Sequence, residues 1–70
     1  MADERVARVT EVICGSSISF DDAIKKGIKR ASETLRNIVG VKVKEFRIHV
    51  QNNNIEEYRV NMDIVFLLDE

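Results

Sequence analysis

The chain has no proline, no tryptophan, one cysteine, one histidine and only three glycines among its 70 residues. Each shortage removes a class of answer. With Cys14 alone no intrachain disulfide forms, and Cys14 with His49 offers too few ligands for a Cys/His zinc site within one chain. Twelve acidic residues nearly balance eleven Lys and Arg, and a formal net charge of −1 gives no general attraction to nucleic acid or to an anionic membrane. The opening MADERVARVTEVICGSSISF begins with acids and lacks a continuous apolar core, and no window reaches the ~18 apolar residues of a membrane span. A cytoplasmic setting with Cys14 reduced is expected. Without proline, linker, low-complexity run or internal repeat, residues 1–70 read as one small domain. A domain this short buries only about 60% of the surface its unfolded chain exposes. With disulfides and an intrachain zinc site excluded, association with further copies is the remaining route to stability.

What is present has clear periodicity. Arg5 to Cys14, RVARVTEVIC, is rich in Val, Ile and Thr and predicts a strand. Val6, Val12 and Cys14 share one face, and Ala7, Val9 and Ile13 the other. Apolar groups on both faces imply that one side meets the chain's own core and the other meets something else. Gly15-Ser16-Ser17 supplies a turn. Ser19 followed by Asp22 resembles a capping box, and Asp21 and Asp22 set negative charge at the positive end of a helix dipole. From Phe20 the positions Ala23, Ile24, Gly27, Ile28, Ala31, Leu35 and Ile38 follow one helical face, which predicts a helix of about five turns ending near Gly40. The row Ala23, Gly27, Ala31 predicts close packing of helix on sheet, because Gly in a helix interior costs ~1 kcal/mol and needs a reason. Gly40 itself reads as the left-handed residue that ends the helix.

Beyond Gly40, VKVKEFRIHVQ (Val41 to Gln51) predicts a second strand whose phase slips. Val41 and Val43 occupy one phase and Phe46, Ile48 and Val50 the other, so a β-bulge is expected near Lys44-Glu45. Asn52-Asn53-Asn54 predicts a hairpin turn, and Tyr58 to Leu68 alternates as the clearest strand of the chain. The fold class is therefore α+β, strand-helix-strand-strand, with one helix on an antiparallel sheet. Val65, Leu67 and the off-phase valines need cover from neighbouring chains.

With these elements in this order, the sequence resembles the dodecin family. The resemblance spans nearly the whole chain and is carried by Cys14-Gly15-Ser16-Ser17-Ile18-Ser19-Phe20, Ala31-Ser32-Glu33-Thr34-Leu35-Arg36, Val43-Lys44-Glu45-Phe46-Arg47 and Glu57 to Leu68. It implies a β-α-β-β chain, a three-stranded antiparallel sheet wrapped around one helix, assembling as a hollow homododecamer. It also implies a non-enzymatic protein that stores flavin (riboflavin, FMN or FAD) in pockets between subunits. The family's glycine of the first turn falls on Cys14, with Gly15 one place later. Its flavin-stacking tryptophan falls on Gly40, and the glutamine that hydrogen-bonds the ring edge falls on Arg59. By this resemblance Gly40, Val41, Arg47 and Arg59 are the candidate cofactor-binding residues, and both named flavin contacts are replaced. Arg59 donates hydrogen bonds but accepts none. Its planar fork suits an anionic ligand or an ion pair with Asp63 or Glu57 of a neighbouring subunit.

The other chemistry-bearing residues read as structural. Lys25, Lys26, Lys29 and Arg30 have no interleaved aromatics and describe a solvated helix face, not a nucleic-acid surface. His49 lacks a neighbouring nucleophile, and Cys14 has no flanking cation to activate it. Asp63, Asp69 and Glu70, gathered around a symmetry axis, would offer oxygen ligands to a hard cation, so a cation-binding or purely structural shell is the alternative to flavin storage.

Overall fold

The computed structural model describes residues 6–68. In chain order these form β1 (Ala7–Ser16), α1 (Phe20–Ala31), β2 (Ile38–Gln51) and β3 (Asn54–Leu67). The strands make one antiparallel sheet in the order β1-β3-β2, so the last strand is the central one. The α+β class and the element order match the sequence reading. Among the described residues no helix is long and apolar enough to cross a membrane.

Several boundaries differ from expectation: β2 begins at Ile38, ahead of the predicted Val41, and β3 at Asn54, ahead of the predicted Tyr58. β1 runs through Gly15 and Ser16, which pair with Arg59 and Tyr58, so the turn is confined to Ser17 and Ile18. Arg5, the expected start of this strand, lies outside the described residues. The helix is shorter than predicted: it ends at Ala31, with Ser32 as its C-cap, and a turn over Ser32-Glu33-Thr34 follows. Leu35 and Ile38 nevertheless pack against the core. Their helical spacing records which side is buried, while the backbone there has already left the helix. The left-handed residue is Asn37, with φ 60°, and not Gly40, which sits inside β2 with no positive φ. The Asn37 carbonyl then accepts from the Leu67 N–H at 3.0 Å, which draws the chain into the sheet.

The start of the helix is built as expected, with one change of partner. Ser19 Oγ accepts the Asp22 N–H at 3.0 Å, while the Asp22 carboxylate turns to the buried Ser16, whose Oγ donates at 2.6 Å. Ser16 Oγ in turn accepts the Ile18 N–H at 2.9 Å. Three otherwise orphaned groups are thereby satisfied at the strand-to-helix corner. Asp21–Lys25 (3.5 Å) and Asp22–Lys26 (3.1 Å) line the solvent side in the acid-first order.

The core is small. Val60, Met62 and Ile64 on the helix-facing side of β3 are fully buried, under Ala23 and Ala31 of α1 and beside Cys14 of β1. Gly27 allows this approach: a Cβ built there would overlap Cys14 Sγ and stand 2.7 Å from Met62 Cε. The bulge between Val43 and Glu45 is present. It returns Phe46 and Ile48, opposite Val60 and Tyr58, to the face that Val41 and Val43 already occupy. The hairpin turns on Asn52 and Asn53, with φ 53° and 63°. From there the β2–β3 arm extends beyond α1, giving the chain a length of 57 Å against 20 and 14 Å across.

Candidate functional site

The sheet has two faces, and only one is covered by α1. On the uncovered face the register aligns side chains in rows across β1, β3 and β2. Val9, Val65 and Gly40 form the first row. Glu11, Asp63 and Lys42 form the next, Ile13, Asn61 and Glu45 the third, and Gly15, Arg59 and Arg47 the fourth. Glu57 and His49 stand beyond them on the arm. Rows two residues apart are ~6.6 Å apart, so Gly40 and Arg59 are separated by about 20 Å within one chain.

The sequence-predicted site residues therefore fall into two places. Gly40 lies at one end of the uncovered face, where an added Cβ would meet only Val65 Cβ, at 4.0 Å. Val41, next to it, points the other way, opposite Ile64, and packs against the core. Arg47 and Arg59 are direct cross-strand partners near the other end. Like charges set opposite each other repel, and each has a carboxylate at hand on its own strand. Arg59 Nε donates to Glu57 Oε1, and Arg47 Nε lies 3.7 Å from Glu45 Oε1. The Glu57 partner of Arg59 belongs to the same chain, where the sequence reading placed a neighbour's. Glu57 also explains Gly15: a Cβ on Gly15 would overlap Glu57 Oε2, so the carboxylate lies over a position that has no side chain.

Between the two ends Lys44, in the bulge, reaches Glu11 at 3.3 Å and Asp63 at 3.8 Å. The hydrogen bond to Glu11, with the Asp63 charge beside it, holds the Lys44 ammonium above its ordinary pKa. Asn61 Oδ1 is buried and accepts no hydrogen bond among the described residues. On the helix side, a groove of about 520 Å³ runs between β1 and α1 over Val12, Gly27, Ala31 and Leu35. Its rim cations, Lys26 and Arg30, are engaged by Asp22 and Glu33. Burial pushes the Cys14 thiol up, which favours the unreactive protonated form. His49 Nε2 lies 3.3 Å from Glu56 Oε1. Among the described residues no three His, Cys, Asp or Glu gather where a metal ion would sit. Asp69 and Glu70, two of the three acids considered for a cation, lie outside them.

This arrangement, with its long arm, one covered face and one rowed face, agrees with what the family comparison gives. The Dodecin family model matches residues 6–69. This chain belongs to the dodecin family. The dodecin of Thermus thermophilus is 30% identical over 66 residues, covering 94% of this chain and 96% of its own. The dodecin of Streptomyces davaonensis is 37% identical, with a TM-score of 0.92 over 97% of this chain and 100% of its own. The calcium-chelating dodecin of Mycobacterium tuberculosis shares the fold, with a TM-score of 0.81 over 91% of each chain at 23% identity. Dodecins are non-enzymatic binding proteins, and this chain is one of them.

Proposed function

We propose that this dodecin stores a flavin-type ligand (riboflavin, FMN or FAD) in pockets between the subunits of a homododecameric shell. The observation that carries the reading is the uncovered face itself. Val9 is 56% exposed there and Ile13 64%, while Gly40 opens the surface beside Val65. A flat apolar ring laid on the Gly40 row is sandwiched only when a second chain closes over it. Since Gly40 and Arg59 stand about 20 Å apart in one chain, a pocket containing both takes them from different subunits.

Gly40 lowers the affinity of such a pocket without closing it. A stacked aromatic ring contributes ~0.5–1.5 kcal/mol beyond area burial and fixes the plane of its partner. Here aliphatic side chains of the first row supply area alone. For the rival reading, a calcium-binding shell, Glu11 and Asp63 are the facing acids on this surface, and Lys44 already occupies them.

The test is a fluorescence titration of riboflavin and FMN with purified protein, with the assembly mass determined by sedimentation on the same sample. Saturable quenching by an intact twelve-subunit assembly is the expected result. An intact assembly that leaves flavin fluorescence unchanged overturns the proposal.

A further inference from the structure

The fourth row of the uncovered face holds a feature that a lone arginine would not provide. Arg59 uses Nε to hold Glu57 Oε1, so its terminal Nη groups and Glu57 Oε2 remain available as donors and acceptor side by side. Both side chains are partly open to solvent, Arg59 45% and Glu57 36% exposed. Gly15, directly across the ladder from Arg59, contributes no side chain, and that is where the carboxylate lies. The pair is thus a fixed donor-acceptor unit standing on a flat, glycine-floored part of the sheet.

We infer that Glu57 and Arg59 act together as a hydrogen-bonding clamp for a ligand edge presenting a carbonyl beside an N–H, as a cyclic imide does. This rests on the ligand reading above and narrows it. Arg59 alone would favour a carboxylate or phosphate. With Glu57 against it and Glu45 near Arg47, the two arginine charges are offset, and an anion approaching the terminal Nη groups meets the repulsion of carboxylates already in place. A neutral imide edge displaces nothing: the guanidinium donates to its carbonyl and the carboxylate accepts its N–H. Glu57 becomes the specificity-determining residue, because it supplies the acceptor that arginine lacks.

The experiment measures riboflavin and N3-methylriboflavin affinity for four proteins, each shown by sedimentation to be assembled: the natural chain, Glu57→Met, Gly15→Ala, and the double variant Glu57→Met with Arg59→Gln. N3-methylation blocks the imide N–H. For the natural chain it should weaken binding by about tenfold or more, the effect of one lost hydrogen bond to a charged acceptor. Glu57→Met should lose the same factor and no longer distinguish the two ligands. Gly15→Ala keeps both side chains but displaces the carboxylate, and should do likewise without loss of assembly. In the double variant a single glutamine offers donor and acceptor, and discrimination should return. Discrimination retained by Glu57→Met overturns the clamp while leaving the flavin reading intact. Riboflavin binding by none of the four assembled proteins overturns the flavin reading, and the clamp with it.

Discussion

Gly40 shows how much a single residue's meaning depends on its surroundings. In the sequence it stands where a helical period stops, which is the usual place for a left-handed glycine. In the structure its backbone is that of a strand, and the left-handed duty falls to Asn37. The position is therefore free to carry a side chain: a Cβ added there meets only Val65 Cβ, and Gly40→Trp keeps ordinary strand geometry. It is expected to leave assembly unchanged and to tighten riboflavin binding by about tenfold, read by the same fluorescence titration. Gly27 is the opposite case. Gly27→Ala gains up to ~1 kcal/mol of helix propensity but drives a methyl into Cys14 Sγ, a short side chain with little room to yield. Overpacking of ~1–3 kcal/mol wins, so the thermal midpoint at fixed protein concentration should fall. At the strand-to-helix corner, the Ser16 hydrogen bond is the first cause that holds the Asp22 carboxyl below its ordinary pKa of 3.8, followed by Lys26. A depressed folded-state pKa stabilises above the unfolded value and is lost as pH falls through the folded one. Ser16→Ala should raise the Asp22 pKa in a carboxyl NMR titration, and its stability deficit relative to the natural chain should shrink as the pH drops below 3.8.

At the scale of elements, hydrophobic spacing proved a better guide to burial than to backbone. Ala23 to Ala31 are helical, yet Leu35 and Ile38 continue the same spacing from a loop and a strand and still reach the core. What separates them is local chemistry. Ser32 and Thr34 bond back to the carbonyls of Lys29 and Ala31, and the β-branched run Ile38, Val39, Val41, Val43 favours a pleated surface. The bulge at Lys44-Glu45 was legible because one extra residue in a strand is what shifts its apolar phase where no glycine or proline interrupts it. The hairpin was legible because asparagine tolerates positive φ. Both central residues of this two-residue turn are left-handed, the geometry for which Asn-Gly is preferred. Asn53→Gly should accordingly stabilise the hairpin by about 0.5 kcal/mol, seen as a small rise in thermal midpoint; a fall would mean that the Asn53 side chain has a partner in the assembly.

At the scale of the whole molecule, the described residues leave large apolar side chains exposed on both sides of the sheet. Phe46, Ile48, Val50 and Ile55 form a largely exposed row on the arm, with only Phe46 meeting an aromatic ring of α1, that of Phe20, and Val9 and Ile13 lie bare on the rowed face. Only Val60, Met62 and Ile64 are large side chains that are fully buried among the described residues. In the shell proposed above, contacts between chains supply the energy that so small a core leaves short. A charge on either surface should therefore act on assembly before it acts on the chain's own fold. Ile13→Glu and Val50→Glu are each expected to reduce the sedimenting mass sharply at micromolar protein, and a variant that keeps the full mass would show that its surface is not an interface.

The sequence by itself determined the class and order of the elements, the bulge, the hairpin and the buried side of the helix. These follow from periodicity and turn chemistry, which act between residues close in the chain. It also determined that no tryptophan is present to stack on a ligand ring. Tertiary structure alone decided that Gly40 lies in a strand, since the pull of Leu67 on Asn37 acts across 30 positions of sequence. It alone decided that Glu57 folds over Gly15, 42 positions away, and holds Arg59. The register of β1 on β3 brings those residues into one row, and no local preference in the chain encodes that register.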